Sequence, residues 1–473
     1  MTDFPTQLFI DGEVRRARSG KTIAQTNAAT EEVFCEVQSA GVPELEAAVD
    51  GAQRCFAESW RDLKPGQRAE ILFQIARLIR DNTEKLAQLE SRNIGKPISD
   101  ARDEVQLGAR VFEFYAGAIS RFYGQTIPVA RGGLDITLRQ PMGVAAAIVP
   151  WNFPFPIACW KAAPALAAGN CVVLKPASQS PLTAIMLGAL GSQAGLPAGA
   201  LQILPGSGSQ IGDALVQHPA IRKISFTGST SIGARIMALA APELKRVSLE
   251  LGGKSPNIVF ADCDLEQAAA SSPMSVFANT GQDCCARSRI FVERSIFDAF
   301  VDKFIAATRG LRVGDPSRDD TQLGPLVSKS QRETVEEFLS STKAAITGGK
   351  RPSSKGYYLQ PAVVLNVEPT ERIWREEVFG PVVCIRAFDD EKQMLAEVNA
   401  SPYGLSGSLW TNDLKRALRV ARQVESGVLS INSHSSVHVE APFGGFKQSG
   451  LGRDLGMSAM EGYTELKNIY FAD

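Results

Sequence analysis

Three separated segments carry a nucleophile, a base and an amide of the kinds needed for covalent catalysis. Cys284 lies in FANTGQDCCA, residues 277–286, where Gly281-Gln282 would turn the chain tightly just before it. A thiol on such a turn can be exposed and reactive. The plainer reading is a buried cysteine acting as a small hydrophobe, the commoner case for a lone Cys, but the neighbours argue against it. Glu250, in LELGGKSP, sits between apolar residues at an expected strand end, followed by Gly252-Gly253. Partial desolvation there would raise its pKa towards neutrality, as a base taking a proton from water or a thiol requires. The alternative is a strand-end carboxylate paired with a surface lysine. Asn152, in PWNFP, is held between Trp151 and Phe153 in a proline-flanked turn. Its amide could stabilise an oxyanion or simply form an Asx turn.

Other residues suggest a dinucleotide. The GxGxxG fingerprint is absent, since Gly206, Gly208 and Gly212 have the spacing G-x-G-x-x-x-G. Better placed is FTGSTSIG, from Phe226 to Gly233, where a strand ends at Gly228-Ser229 and a helix begins, presenting N–H groups to a pyrophosphate. Lys175, ending the apolar run CVVLK, could reach ribose hydroxyls or a phosphate. His434 and His438 are four apart, but with no third ligand and no HExxH pattern they read as loop residues, and no metal site is expected.

These groups need rigid elements behind them. Apolar residues recur at helical spacing from Lys64 to Asn93, which predicts one amphipathic helix. Two β-like runs around Gly132-Gly133 predict a hairpin over 125–139. Short β-rich runs at 144–149, 171–174, 201–204 and 223–226 alternate with Ala-rich helical stretches. This rhythm predicts a parallel sheet wrapped by helices. The alternation restarts at 257–260, 290–292, 382–386 and 427–431, with a helix over 296–309, so a second α/β domain is expected. The stretch KRPSSKG, 350–356, reads as a surface loop. With 473 residues, 44% hydrophobic, the chain can bury more than one core. Its 50 Lys and Arg balance 51 Asp and Glu, leaving no net field to attract nucleic acid or an anionic membrane. The apolar stretch 143–160 is interrupted by prolines and cannot span lipid as one helix. Eight scattered cysteines fit reduced thiols, adjacent Cys284 and Cys285 included. The first residues lack a basic start followed by an apolar core, so a cytoplasmic location is expected.

PWNFP, LKPA, FTGS, LELGGKSP, GQDCCA and EEVFGPV occur in this order, and on them the chain resembles the aldehyde dehydrogenase superfamily over essentially its whole length. The resemblance implies an α/β fold with a Rossmann-like cofactor-binding domain (1–118 and 141–252), an α/β catalytic domain (253–455) and a small β oligomerisation arm (119–140 and 456–473). It implies NAD(P)-dependent oxidation of an aldehyde through a thioester on Cys284, with Glu250 as general base and Asn152 with the Cys284 N–H as oxyanion hole. Cofactor contacts are expected at Trp151, Lys175, Ser178, Gly208, Gly212, Phe226, Gly228, Ser229, Glu377 and Phe379. GGFKQSG, from Gly444, is expected near the substrate funnel. Relatives that transfer the acyl group to coenzyme A lack a Glu at this position, so a free acid is the expected product. Pairing through 126–139 and 463–471 implies a homodimer or homotetramer.

Ser178 stands where NAD-preferring relatives often carry an acid that repels a 2′-phosphate, so use of both NAD and NADP is expected. ACWKAAPALAAGN around Trp160 is similar to betaine aldehyde and aminoaldehyde dehydrogenases. Phe153, Trp160 and Phe443 could hold an ammonium by cation–π attraction, in a cage left incomplete by Ala278. Asp283 could instead pair with a primary amine, or be a solvated turn residue. A semialdehyde or general aliphatic substrate, and a catalytically silent protein of the same fold, are the alternatives.

Overall fold

The computed structural model describes residues 4–472; residues 1–3 and 473, the outer ends of the first and last expected segments, lie outside them. Two large sheets divide the chain. The first has eight strands, ordered Glu13–Arg15, Leu8–Ile10, Leu201–Ile203, Cys171–Lys175, Val144–Ile148, Ile221–Thr227, Arg246–Glu250 and Gly450–Leu451. The middle strands, from Leu201–Ile203 to Arg246–Glu250, are parallel. Both faces of such a sheet are covered, so Val144–Ile148 and Cys171–Lys175 are apolar at almost every position rather than alternating. The helix Pro154–Ala167 packs here, buried along its whole length.

The chain order along this sheet reverses once. From Val144–Ile148 it steps outward through Cys171–Lys175 to Leu201–Ile203, then resumes on the other side with Ile221–Thr227 and Arg246–Glu250. A crevice opens where neighbouring parallel strands send their loops in opposite directions. That point lies between Ile148 and Thr227, the strand ends from which Pro150–Asn152 and Gly228–Ser229 emerge.

The second sheet runs Ala345–Gly348, Ala362–Leu365, Val382–Phe388, Arg289–Glu293, Pro256–Val259, Ser406–Trp410, Val428–Ile431, parallel except for the first strand. A third, three-stranded sheet joins Thr464–Phe471, Leu134–Pro141 and Thr126–Ile127. It contains the expected hairpin, with Gly132 and Gly133 at positive φ in the turn. Each strand run expected from the sequence falls on a strand of the structure, within a residue or two.

The single helix expected from Lys64 to Asn93 is instead two, Pro65–Asp81 and Thr83–Ile94, broken at Asn82. Asn82 has φ −109° and ψ 17°, and its side-chain amide donates to the Leu78 carbonyl at 2.8 Å. That bond competes with the helical ladder, while the apolar periodicity continues across the break and conceals it. The segment 450–451, read from the sequence with the second domain, pairs with Leu249 and Glu250 at the edge of the first sheet. No helix among the described residues is long and apolar enough to cross a membrane.

Candidate active site

The carboxyl ends of the first sheet's strands face the loop that leads into Arg289–Glu293 of the second. Glu250 ends its strand and Cys284 lies on that loop. The two backbones nearly touch: a Cβ on Gly253 would lie 2.3 Å from the Cys284 carbonyl oxygen, and one on Gly252 would lie 2.3 Å from Glu377 Oε2. Only glycines permit this approach, which explains Gly252-Gly253 directly after Glu250.

The turn before Cys284 is built from three consecutive left-handed residues, Asn279 (φ 50°), Thr280 (φ 56°) and Gly281 (φ 71°). For a β-branched threonine this conformation is costly. It is held by Thr280 Oγ1 donating to the Gly324 carbonyl at 2.8 Å, and by Gln282, whose Oε1 accepts the Val327 N–H at 2.9 Å. Gly281 packs on Gly380, whose carbonyl oxygen would lie 2.1 Å from an added Cβ.

Asn152 is buried and makes no Asx turn. Its Nδ2 donates to the Gln282 carbonyl at 3.0 Å, which ties the amide to the cysteine loop and leaves its second N–H available. The Asn152 carbonyl accepts from Asn279 Nδ2 at 2.9 Å and from Lys96 Nζ at 3.0 Å. Lys96 is fully buried and paired with Glu104. Neither Lys96 nor Glu104 stands out in the sequence; the signal available was the pairing of GKP with an acid two turns along the next helix.

Two cavities meet at these groups. One, of about 360 Å³, is lined by Phe153, Trp160, Asp283 and Phe443 among others. The second, of about 260 Å³, is lined by Trp151, Asn152, Gly228, Ser229, Glu377 and Phe379. Thr227, Glu250 and Cys284 line both. Cys284 and Glu250 thus face a common space at the crevice of the first sheet.

Both groups titrate abnormally. Glu250 is 4% exposed and neither carboxyl oxygen has a hydrogen-bond partner, so the surface-lysine alternative fails. Burial, with the nearby Asp454 carboxylate adding to it, pushes Glu250 well above the ordinary carboxylate range; Lys161 and Arg453 oppose the shift. Lys161 donates to Asp454 at 3.0 Å and to Ser225 Oγ at 2.9 Å, a buried cluster joining residues far apart in sequence. Cys284 is raised as well, by its hydrogen bond with the Cys285 thiol and by burial. The thiol thus holds its proton more tightly than a free cysteine, and Glu250, which lines the same two cavities, holds its own more tightly than a free carboxylate.

The expected cofactor residues divide. Trp151 and Phe379 meet edge to face at 5.3 Å, and Glu377 Oε1 accepts the Gly253 N–H at 2.9 Å. Burial brings Glu377 to about 7. Gln331, not singled out in the sequence, donates to the Phe379 carbonyl at 2.8 Å and lines the same cleft. Lys175, Ser178, Gly208 and Gly212 lie further along the same carboxyl edge. Lys175 is buried, which lowers it to about 8. Ser178 donates to the Gly206 carbonyl at 3.3 Å. Phe226 is a correction: it is 5% exposed and its ring packs beneath Gly228, where an added Cβ would lie 2.4 Å from it, so it supports the cleft without lining it.

Of the expected aromatic cage, Trp160 and Phe443 meet edge to face at 5.4 Å on the cavity wall, Phe153 lines the same cavity, and the buried Lys96 Nζ lies 4.2 Å from the Phe153 ring centre. Asp283 is no solvated turn residue: its Oδ1 accepts the Cys285 N–H at 2.8 Å, and burial raises its pKa. His434 and His438 lie in a loop, with His434 Nδ1 3.1 Å from Ser408 Oγ.

The model of the aldehyde dehydrogenase family matches residues 15–469. The betaine aldehyde dehydrogenase of Sinorhizobium fredii is 43% identical over 471 residues, 98% of this chain and 96% of that protein. Human retinal dehydrogenase 2 is 40% identical over 98% of this chain and 91% of its own length. Among solved structures, the NAD+ complex of an aldehyde dehydrogenase from Bacillus cereus superposes with a TM-score of 0.97 at 39% identity, covering 99% of this chain and 96% of that one. The P. syringae indole-3-acetaldehyde dehydrogenase AldA, solved with NAD+ and IAA, gives 0.98 at 39% identity, covering 99% and 97%.

The raised thiol makes a prediction. Only the thiolate is alkylated, and a raised pKa delays its appearance as pH increases. The iodoacetamide alkylation rate of Cys284, followed by peptide mass spectrometry, should therefore reach half its maximum above the ordinary cysteine value of about 8.5. A midpoint at or below that value in the cofactor-free protein would contradict the geometry.

Proposed function

Because the chain belongs to the aldehyde dehydrogenase family, we propose that it oxidises an aldehyde to the free carboxylic acid with Cys284 as nucleophile, Glu250 as general base and Asn152 as oxyanion donor. The observation that carries this reading is that Cys284 and Glu250 line both cavities, one suited to substrate and one to the nicotinamide. Glu250 takes the Cys284 proton, and the sulfur bonds to the aldehyde carbon. The developing oxyanion accepts the free Asn152 Nδ2–H and the Cys284 backbone N–H. Oxidation of the hemithioacetal leaves an acyl thioester on Cys284. Glu250, having released that first proton to solvent, then takes a proton from water, the hydroxide adds to the acyl carbon, the C–S bond breaks and the proton passes from Glu250 to the departing Cys284 sulfur.

The carboxyl edge of the first sheet fits a dinucleotide. The helix Thr230–Ala240 begins at Ser229 with no side-chain cap, leaving N–H groups open to a phosphate, and the Cα hydrogens of Gly208 and Gly212 face open space. Trp151, Lys175, Gly228, Ser229, Glu377 and Phe379 would hold it, and when bound it supplies the hydride acceptor. With Ser178 rather than an acid beside Lys175, both NAD and NADP are accommodated.

For the substrate we favour an aldehyde bearing an amine. Asp100, Asp103, Glu104, Asp283 and Asp454 all line the larger cavity. Lys96 and Lys161 pair with Glu104 and Asp454, while Asp100 and Asp103 are in no ion pair among the described residues. A primary ammonium suits these carboxylates better than a quaternary one, since it can donate hydrogen bonds to them. A neutral aliphatic aldehyde is the second reading, supported by Leu107, Ile157, Met274 and Val437 on the same walls. We further propose a homodimer or dimer of dimers, working in the cytoplasm. Thr464–Phe471 is an open sheet edge beside exposed Leu134, Leu138, Leu466 and Phe471, which a second copy would cover.

In Glu250→Gln, which removes the acceptor of both protons, turnover should slow by about two to four orders of magnitude, and unchanged turnover would remove Glu250 as the base. Steady acyl-coenzyme A formation by the native protein, at a rate comparable to the acid, would overturn the hydrolytic reading. A kcat/KM screen of 4-aminobutanal against a neutral aldehyde, with NAD and with NADP, should show turnover with both cofactors and a larger loss for the amine in Asp283→Ala. Refusal of NADP, or equal losses for the two aldehydes, would remove the corresponding part of the proposal. Light scattering should show an oligomer, and a monomer at working concentration would remove the arm.

A further inference from the structure

Among the described residues, one set of three His, Cys, Asp or Glu side chains converges closely enough to hold a metal ion: Asp283, Cys284 and Cys285, with their ligand atoms within 4.8 Å of one another. Both thiols are unbridged, and all three residues line the larger cavity. Asp283 Oδ1 is engaged by the Cys285 N–H, which fixes the carboxylate beside the sulfurs and leaves Oδ2 available. Zinc holds sulfur at about 2.3 Å and carboxylate oxygen at about 2.0–2.2 Å. Tetrahedral angles then place ligand atoms roughly 3.3–3.8 Å apart, so the trio needs only small side-chain rotations to close on an ion. Two thiolates and one carboxylate also form a soft donor set, which selects zinc-like cations over magnesium or calcium.

We propose that Asp283, Cys284 and Cys285 capture a thiophilic divalent cation that enters from the substrate cavity, and that capture switches the enzyme off reversibly. The ion is an inhibitor here, not a resident cofactor. Each thiol gives its proton to solvent as its metal–sulfur bond forms, and a water molecule from the cavity completes four ligands. No electrons move, so a chelator reverses the step completely. The buried Arg287 guanidinium, which donates to the Cys285 carbonyl at 2.8 Å, lies beside the net negative charge that the trio carries both before and after capture. Inhibition rests on Cys284 being the nucleophile, as proposed above; capture of the ion does not.

The test is a titration of the full-length, EDTA-treated protein with Cd2+, read by the ultraviolet thiolate-to-cadmium charge-transfer band and, in parallel, by dehydrogenase activity. One equivalent should generate the band and abolish turnover, and EDTA should restore turnover. Cys285→Ala and Asp283→Asn should each weaken the band's apparent affinity roughly tenfold or more, with circular dichroism reporting that each variant is folded. Inhibition in any variant that retains turnover should weaken in step with its band. A band of unchanged affinity in both variants would assign the metal to the remaining cysteines and overturn the proposal. So would the absence of a band. A normal band in a protein that turns over no aldehyde would uphold capture while sinking the catalytic reading.

Discussion

The site turns on a buried carboxyl group with no protein donor to either oxygen. Glu250 is held in this state at a strand end, with Asp454 near enough to raise its pKa further. An unpartnered buried charge would cost several kcal/mol, and the raised pKa expresses that cost, so the carboxylate once formed is a stronger base than an exposed one. Much of the surrounding architecture limits that cost. Lys161 bonds to Asp454 and Ser225 rather than to Glu250, so it offsets only part of the rise that burial and Asp454 impose on Glu250. Gly444 belongs to the same arrangement, because a Cβ there would come within 2.6 Å of Glu250 Oε1.

The second constraint is contact between two sheets that need not otherwise meet. Gly252 and Gly253 bring the first sheet's edge against the Cys284 carbonyl and the Glu377 carboxylate, and the 450–451 segment returns to close that edge. Asn152 bonds to Gln282, and Gln282 reaches Val327, so the amide, the cysteine loop and the loop before the helix Lys329–Ser341 form one chain of hydrogen bonds. Placement of the sulfur thus depends on backbone packing and on a turn whose left-handed threonine would relax if those contacts were lost.

This arrangement explains what the sequence made legible. Strand runs such as CVVLK and the position of Glu250 are readable because a parallel strand covered on both faces needs a continuous apolar run, and its polar end marks the edge. The local motifs are readable for the same reason, since each is one short loop at such an edge. Contacts between distant segments are not: Lys161 and Asp454, or Lys96 and the Asn152 carbonyl, are joined only by folding. Phe226 shows the limit within a motif, where the residue beside the loop glycine turns inward as packing. Phe153 shows it between motifs, because the cation against its ring is Lys96, from the link between two distant helices. The break at Asn82 stays hidden because apolar periodicity records which face is buried, not whether the backbone ladder is continuous.

The larger cavity shows how charge can be arranged around a reactive sulfur without neutralising the site. Five carboxylates besides Glu250 line it, and two of them carry buried lysine partners. Both lysines sit behind the wall: Lys96 under Phe153 and Asn152, Lys161 under Asp454. Positive charge is therefore concentrated on the protein side of the cavity surface and negative charge on the open side. On the function proposed above, a ligand cation would meet carboxylates first, while the proposed oxyanion donor Asn152 has an ammonium behind its peptide carbonyl. Such a layered field would then suit a substrate whose positive end stays outward as its carbonyl oxygen gains negative charge at the sulfur, and a neutral substrate would gain only the inner half of it.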